Sequence, residues 1–417
     1  MGRPSYYHDL ESHHEAPSRR QSWTFILTWS VIGYACVIAA FLSLCSSYPS
    51  LLDLGLLPGF IYESHPAPFR AFSKGSGYFK KPQGLKVAAL VPFYSPERTA
   101  ILDCYLQKNL INNRGYLDRV TFIPQTNDTG SLKWLEALVE QSSFYAISPP
   151  DQPLIVPTLH NDDIFVWIDG DVVFLEDHTI PTILKTKLDY PDSLIVSANV
   201  ANQAALKSLH SHPGTALPYL PELLPSQLPS DQPLQANTAQ DWRVSNLPHW
   251  EGPPDFEVDQ GFLSPFKGHR WLLSDDEDAD RTPIATSVYG DNGPGLDHWT
   301  VHAQQHYSFL HHLEFNDLHQ YKFPMWNNPV ESISRNFLCS RGRDLDTLRA
   351  VIQQSHTNDL PLKAVREIYS DDDRRIIIDG KGLAVHYTDL TGDGLDTTDI
   401  LQRYRAYAEE MVCPKTL

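Results

Sequence analysis

Residues 162–174 read DDIFVWIDGDVVF. Ile164, Phe165, Val166, Trp167 and Ile168 form a short apolar run, long enough for one buried strand. The run ends in Asp169-Gly170-Asp171, and Val172-Val173-Phe174 is apolar again. Two carboxylates one residue apart at the end of a buried strand are costly to desolvate unless a cation meets them. Gly170 lets the backbone bend and lets a ligand come close. Ligands of open α/β sheets bind at the carboxyl ends of strands. Hard divalent cations such as Mn²⁺ or Mg²⁺ prefer oxygen ligands and are commonly held by one or two carboxylates plus substrate phosphates. The stretch therefore predicts a metal–diphosphate site built on Asp169 and Asp171. An Asp-x-Asp pair is also common in solvated turns, but this one follows an apolar strand with two strand–helix units upstream.

Those units begin at Leu85. Residues 85–94 (LKVAALVPFY) read as a buried strand, and Ser95-Pro96-Glu97 then signals a helix start. Residues 98–112 form an amphipathic helix pattern, 117–124 a second strand, and 131–141 (SLKWLEALVEQ) a second helix. Beyond the Asp-x-Asp, 179–188 reads as helix and 193–200 (SLIVSANV) as strand. Strands alternating with helices predict an α/β chain with a mostly parallel, Rossmann-like sheet and helices on both faces. Residues 212–241 are rich in Pro, Ser and Gln, show no periodicity, and read as an insertion or a loop over the site.

The chain has 417 residues, 41% hydrophobic and 20% charged, with a formal net charge of −18. That balance argues against nucleic acid as a partner, because phosphate backbones need Lys and Arg. No charged residue occurs from Gln21 to Leu52. As a helix, the apolar stretch 23–45 would span about 34 Å, enough for a bilayer core of ~30 Å. Arg19 and Arg20 precede it, and no Lys or Arg follows until Arg70. The positive-inside rule then predicts a cytosolic tail at 1–21, a signal anchor at 22–45, a stem at 46–84 and a lumenal domain at 85–417. Cys104, Cys339 and Cys413 would be lumenal and allow one internal disulfide. Asn127-Asp128-Thr129 is a glycosylation sequon in a turn-like setting.

An apolar strand, Asp-x-Asp, an apolar continuation, βα units upstream and an N-terminal anchor together resemble the nucleotide-sugar glycosyltransferases of the GT-A fold, and among them fungal type II membrane proteins. The resemblance covers about residues 84–390, and its specific part is the Asp-x-Asp in its setting. It implies a metal-dependent enzyme that moves a hexose from a nucleotide diphosphate sugar to a glycan or glycoconjugate acceptor. It also implies a Golgi or endoplasmic reticulum membrane, with the domain lumenal. Asp171 would ligate Mn²⁺ or Mg²⁺, Asp169 would act through water or on the ribose, and Tyr94 would pack against the nucleotide. Some GT-A families supply a late histidine as a further ligand. His386, ending the strand pattern 381–387 (KGLAVHY), matches that role, although a hydrogen-bonded core histidine is the slightly preferred reading.

An inverting transferase also needs a carboxylate base. In 250–262 (WEGPPDFEVDQGF), Asp259 is the first candidate and Glu257 the second; the segment reads equally as an acidic loop opening a strand at 261–266 (GFLSPF). Residues 275–280 (DDEDAD) read as a solvated acidic run. His298, His302 and His306 share a face of a helix predicted over 297–314, a spacing zinc can use, although ordinary packing explains it better. Residues 389–399 partly match a calcium loop, but Ile400 occupies the twelfth position, so a cap for a last helix at 398–411 is preferred. Two alternatives stand beside the transferase: a non-catalytic GT-A-like subunit of a transferase complex, and a metal-dependent phosphotransferase or hydrolase using the histidine face.

Overall fold

The computed structural model describes residues 29–34, 36–37, 79–149, 160–225, 241–329, 332–346, 348, 359–361, 365, 374–387 and 394–413. The chain divides into two compact units, 1–65 and 66–417. In the first, 29–34 and 36–37 are helical, with Trp29, Val31, Ile32, Tyr34 and Val37 exposed. No helix among the described residues is long and apolar enough to cross a membrane. The expected tail, most of the expected anchor and most of the expected stem lie outside the described residues.

The second unit is built on a nine-stranded sheet. Its strands are β1 (Val87–Phe93), β2 (Arg119–Pro124), β3 (Tyr145–Ile147), β4 (Ile164–Ile168), β5 (Val172–Leu175) and β6 (Ile195–Ala201), followed later by β9 (Trp326–Asn327), β11 (Phe337–Arg341) and β13 (Ile376–His386). The order is β3-β2-β1-β4-β11-β6-β13-β5, with β9 against β13. Strands β1, β2, β3, β4, β6 and β13 run one way, and β5, β9 and β11 run against them. Two small ribbons complete the strands: β7 (Tyr219–Pro221) with β8 (Trp271–Leu273), and β10 (Ser332–Ser334) with β12 (Asp359–Pro361).

Among the described residues of this unit, seven α-helices are α1 (Pro96–Asn109), α2 (Thr129–Glu140), α3 (Thr179–Asp189), α4 (Lys207–His210), α5 (Pro283–Tyr289), α6 (Trp299–Glu314) and α7 (Ile400–Tyr407). Alternation along the strands separates two cores, as period-two side chains require. Val87, Ala89, Val91 and Phe93 face the main core, which takes Ile101 of α1, Leu135 of α2, Ile183 of α3, Phe309 of α6 and Leu401 of α7. Ala88 and Leu90 face a second core with Ile333 of β10, Leu360 of β12 and the helical residues Leu348 and Val365. Buried apolar area of this extent is the dominant stabilising term.

Several elements differ from the sequence-based expectation. β7 lies inside the Pro-rich segment, where composition concealed it, and 226–240 of that segment lie outside the described residues. No strand opens at 261–266, which is a turn, an irregular stretch and a bend, and β8 begins at Trp271. The last helix starts at Ile400, not 398, and ends in a π-turn at Ala408–Val412. Asp399 occupies its cap position, yet its carboxylate holds Arg403 and Tyr307 and makes no capping bond. Cys104 of α1 and Cys413 form the one disulfide among the described residues, and Cys339 is buried and free.

Candidate metal centre

The strand order reverses between β1 and β4: β1, β2 and β3 proceed outward on one side, and β4 lies on the other. Such a switch point leaves a crevice at the strands' carboxyl ends. Tyr94 follows β1 and Asp169 follows β4, so both belong to that crevice. Gly170 is required there, because a Cβ would lie 2.1 Å from the Pro92 carbonyl oxygen of β1. The close approach this glycine permits is therefore to the neighbouring strand. Val172–Leu175 then turns away as β5 and pairs with the end of β13, which brings in His386.

Asp169, Asp171 and His386 each offer one ligand atom, all within 4.8 Å of one another. Asp169 and His386 are buried, with His386 Nε2 3.4 Å from Asp169 Oδ1. Asp169 Oδ1 also accepts the Asp171 amide at 3.0 Å, and Tyr94 OH lies 3.4 Å from Asp169 Oδ2. Asp171 Oδ2 accepts from Arg98 Nη1 at 2.8 Å. Asp171 Oδ1 is buried with no hydrogen-bond partner among the described residues. A buried acceptor left so costs about 1–3 kcal/mol. Burial, then the Asp169 charge, raises the Asp171 carboxyl above its ordinary value, against Arg98 and His386. Burial and the two aspartates likewise push the Tyr94 hydroxyl up. Two carboxylates, an imidazole and an unused buried lone pair form a donor set that fits a divalent cation such as Mn²⁺ or Mg²⁺.

Three neighbours went unread in the sequence. Arg98, in the first turn of α1, pairs with Asp171 and reaches Asp396 Oδ1 at 3.4 Å. Arg335 lies close enough for its charge to oppose the rise at Tyr94. Asn336 is fully buried beside Asp169, whose amide donates to the Asn336 carbonyl at 2.8 Å. Neither polar atom of the Asn336 side chain has a partner among the described residues. The signal available in sequence was weak: Ser-Arg-Asn before a short apolar run reads as a turn.

The histidine face of α6 serves another purpose. His298 caps the helix, accepting from the Thr300 amide. His302 Nδ1 is 2.6 Å from Asn202 Oδ1. Asn202 Nδ2 donates to the carbonyls of His386 and Tyr387 at 3.1 and 2.6 Å. His306 Nε2 is 2.7 Å from the Tyr387 carbonyl, and its Nδ1 is 3.0 Å from Tyr404 OH. Burial holds His306 down at about 4, so it is neutral. These histidines are absent from the metal-capable group among the described residues. They fix the end of β13, and thus His386.

Asp259 and Glu257 are exposed and also stand outside that group. Asp259 Oδ1 accepts the Gly261 amide at 2.9 Å. Their segment is nevertheless tied to the rim of the crevice: Ser264 bonds Thr397 at 2.6 Å, next to the Asp396 that Arg98 reaches. A cavity of about 350 Å³ opens at the ends of β2 and β3, lined by Ile123, Gln125, Thr126, Leu135, Ile147 and Ser148 among others. Residues 389–393 of the calcium-loop pattern lie outside the described residues. Asn127 of the sequon is exposed, directly before the Asp128 that caps α2.

No protein-family model and no curated protein matches this sequence. Among solved structures, a 4-diphosphocytidyl-2C-methyl-D-erythritol synthase is similar at 14% identity, over 28% of this chain and 62% of that one, with a TM-score of 0.21. A mycobacterial protein is similar at 12% identity, over 33% of this chain and 44% of that one, with a TM-score of 0.21. This chain spans less than two thirds of either structure's length, and at these scores the likeness carries no argument about activity or substrate.

Proposed function

We propose that the chain is a metal-dependent glycosyltransferase of GT-A type. It would move a hexose from a nucleotide diphosphate sugar to a glycan or glycoconjugate. The observation that carries this reading is the convergence of Asp169, Asp171 and His386 at the switch point between β1 and β4. Asp171 through Oδ1, Asp169 and His386 would hold the cation. A divalent cation bound there neutralises the leaving diphosphate. Tyr94 packs along the nucleotide, and the cavity at the ends of β2 and β3 takes the nucleoside. Asn336 bonds a donor hydroxyl with the carboxamide it leaves unused. Asp259, with Glu257 as second candidate, takes the acceptor's proton if the reaction inverts; exposure of both suits an acceptor that arrives from solvent.

The domain belongs, in this reading, to the lumen of the Golgi or endoplasmic reticulum, behind an anchor at 22–45. Two observations support it. Disulfides such as Cys104–Cys413 persist in oxidising compartments. The helical residues at 29–34 also expose apolar side chains.

The test is donor hydrolysis by the full chain in detergent, with a panel of nucleotide sugars, with and without Mn²⁺. Metal-dependent turnover of one donor, lost in Asp171→Ala, is expected. No turnover, together with no Mn²⁺-dependent nucleotide binding, would replace the transferase by a non-catalytic subunit of a larger complex.

A further inference from the structure

Arg98 is an arginine bound directly to one of the Asp-x-Asp carboxylates. Ser95 precedes the helix and Pro96 opens it, which sets Arg98 in the first turn of α1, above the end of β1. Its Nη1 holds Asp171 Oδ2 at 2.8 Å and its Nη2 lies 3.4 Å from Asp396 Oδ1. Its guanidinium carbon is 4.7 Å from the centre of the Tyr387 ring. The arginine side chain is 20% exposed, against 3% for Asp169 and 1% for His386. It therefore closes the mouth of a site whose floor is buried.

A divalent cation on Asp171 Oδ1 would share that carboxylate with Arg98, which holds Oδ2. The Coulomb cost of two cations on one partly buried carboxylate is raised by the low local dielectric. Arg98 has somewhere to go: Asp396 is 64% exposed, and the face of Tyr387 tolerates a guanidinium at several positions. The two aspartates balance the charge of a divalent cation, which leaves the arginine's charge over for an anion. Guanidinium groups bind phosphate oxygens in paired hydrogen bonds.

We propose that Arg98 is the resident counter-cation of the metal-free site, displaced from Asp171 when a divalent cation binds and thereby released to hold the diphosphate of the donor. This rests on the metal-centre reading and adds to it an exchange between two cations. An arginine that merely oriented Asp171 would have the opposite consequence. Removing an orienting partner weakens metal binding, commonly by about 10–100-fold; removing a competitor tightens it.

Calorimetric titration of the full chain with Mn²⁺ alone tests the exchange, using wild type, Arg98→Met and Arg98→Lys. Arg98→Met is expected to bind Mn²⁺ about tenfold tighter than wild type, the scale of one charge-assisted hydrogen bond. At saturating Mn²⁺, inorganic pyrophosphate is expected to bind Arg98→Met about tenfold more weakly than wild type. Arg98→Lys keeps the charge without the fork and falls between the two in both titrations, so it decides the matter if the methionine variant fails to fold. Weaker or unchanged Mn²⁺ binding on removal of the guanidinium overturns the exchange and leaves the metal centre standing. Unchanged pyrophosphate binding overturns the release. Absence of Mn²⁺ binding by wild type overturns the metal centre and this inference together.

Discussion

Asn202 and Asn336 are both buried asparagines beside the same site, 3% and 0% exposed. Asn202 has a partner on both side-chain polar atoms: His302 on its oxygen, and the His386 and Tyr387 carbonyls on its nitrogen. It does so from a left-handed backbone position at φ 59°. Among the described residues Asn336 has a partner on neither. The first belongs to a closed hydrogen-bond network that fixes the end of β13. The second is a buried polar group waiting for something, as Asp171 Oδ1 is. Satisfied buried polar groups specify structure, and unsatisfied ones need an explanation, which a ligand supplies. The histidine face of α6 looked like a metal site by spacing and lies on the satisfied side of that division. The Asp-x-Asp lies on the other.

Substitutions can break this division. Asp171→Ala is expected to reduce Mn²⁺-dependent donor hydrolysis by at least about 100-fold, more than the loss of an outer partner, while the melting temperature changes little. A large drop in melting temperature would move Asp171 to the structural side. Asn202→Leu is expected to cost about 2–4 kcal/mol in chemical denaturation, because it removes the hydrogen bonds to His302 and to the His386 and Tyr387 carbonyls and puts a γ-branched residue at positive φ. Asn336→Leu is expected to do the reverse, raising stability by about 1 kcal/mol by removing two unpaired buried atoms, while donor affinity falls. If Asn336→Leu destabilises as much as Asn202→Leu, a buried water satisfies Asn336 and the contrast fails.

The smallest effect concerns pH. His306 is held at about 4, against an ordinary 6.5, by burial. Between those values the unfolded chain takes up a proton that the folded chain refuses. The contribution is therefore present above pH 6.5 and lost as pH falls toward 4, at up to about 1.4 kcal/mol per unit. His306→Gln is expected to make the acid side of the stability profile shallower over that window. An unchanged slope would mean that His306 is charged in the fold.

Much of the centre was legible because it follows from local pattern. The apolar run before Asp169 made a buried strand, and the paired carboxylates at its end had no cheap structural role. His386 was legible as the polar end of an apolar strand. The upstream βα units followed from period and turn residues, with Pro96 at the helix start. What stayed hidden depends on contacts far apart in sequence. β11 inserts antiparallel between β4 and β6, although Phe337–Arg341 is only a short apolar segment late in the chain. Its insertion is what delivers Arg335 and Asn336 to Asp169. Arg98 reads as an exposed charge in a helix's first turn, and its partner Asp171 is 73 residues away. Asn202 and His306 are 104 residues apart, so the network that positions His386 had no local signature.

The most direct measurement is electron paramagnetic resonance of Mn²⁺ bound to the full chain, beside Asp171→Ala and His386→Gln. The account predicts one tightly held Mn²⁺ per chain with a nitrogen coupling from imidazole. Asp171→Ala should abolish the tight site, and His386→Gln should remove the nitrogen coupling. Tight binding that survives in Asp171→Ala, or a coupling that persists in His386→Gln, would place the metal elsewhere and contradict the account.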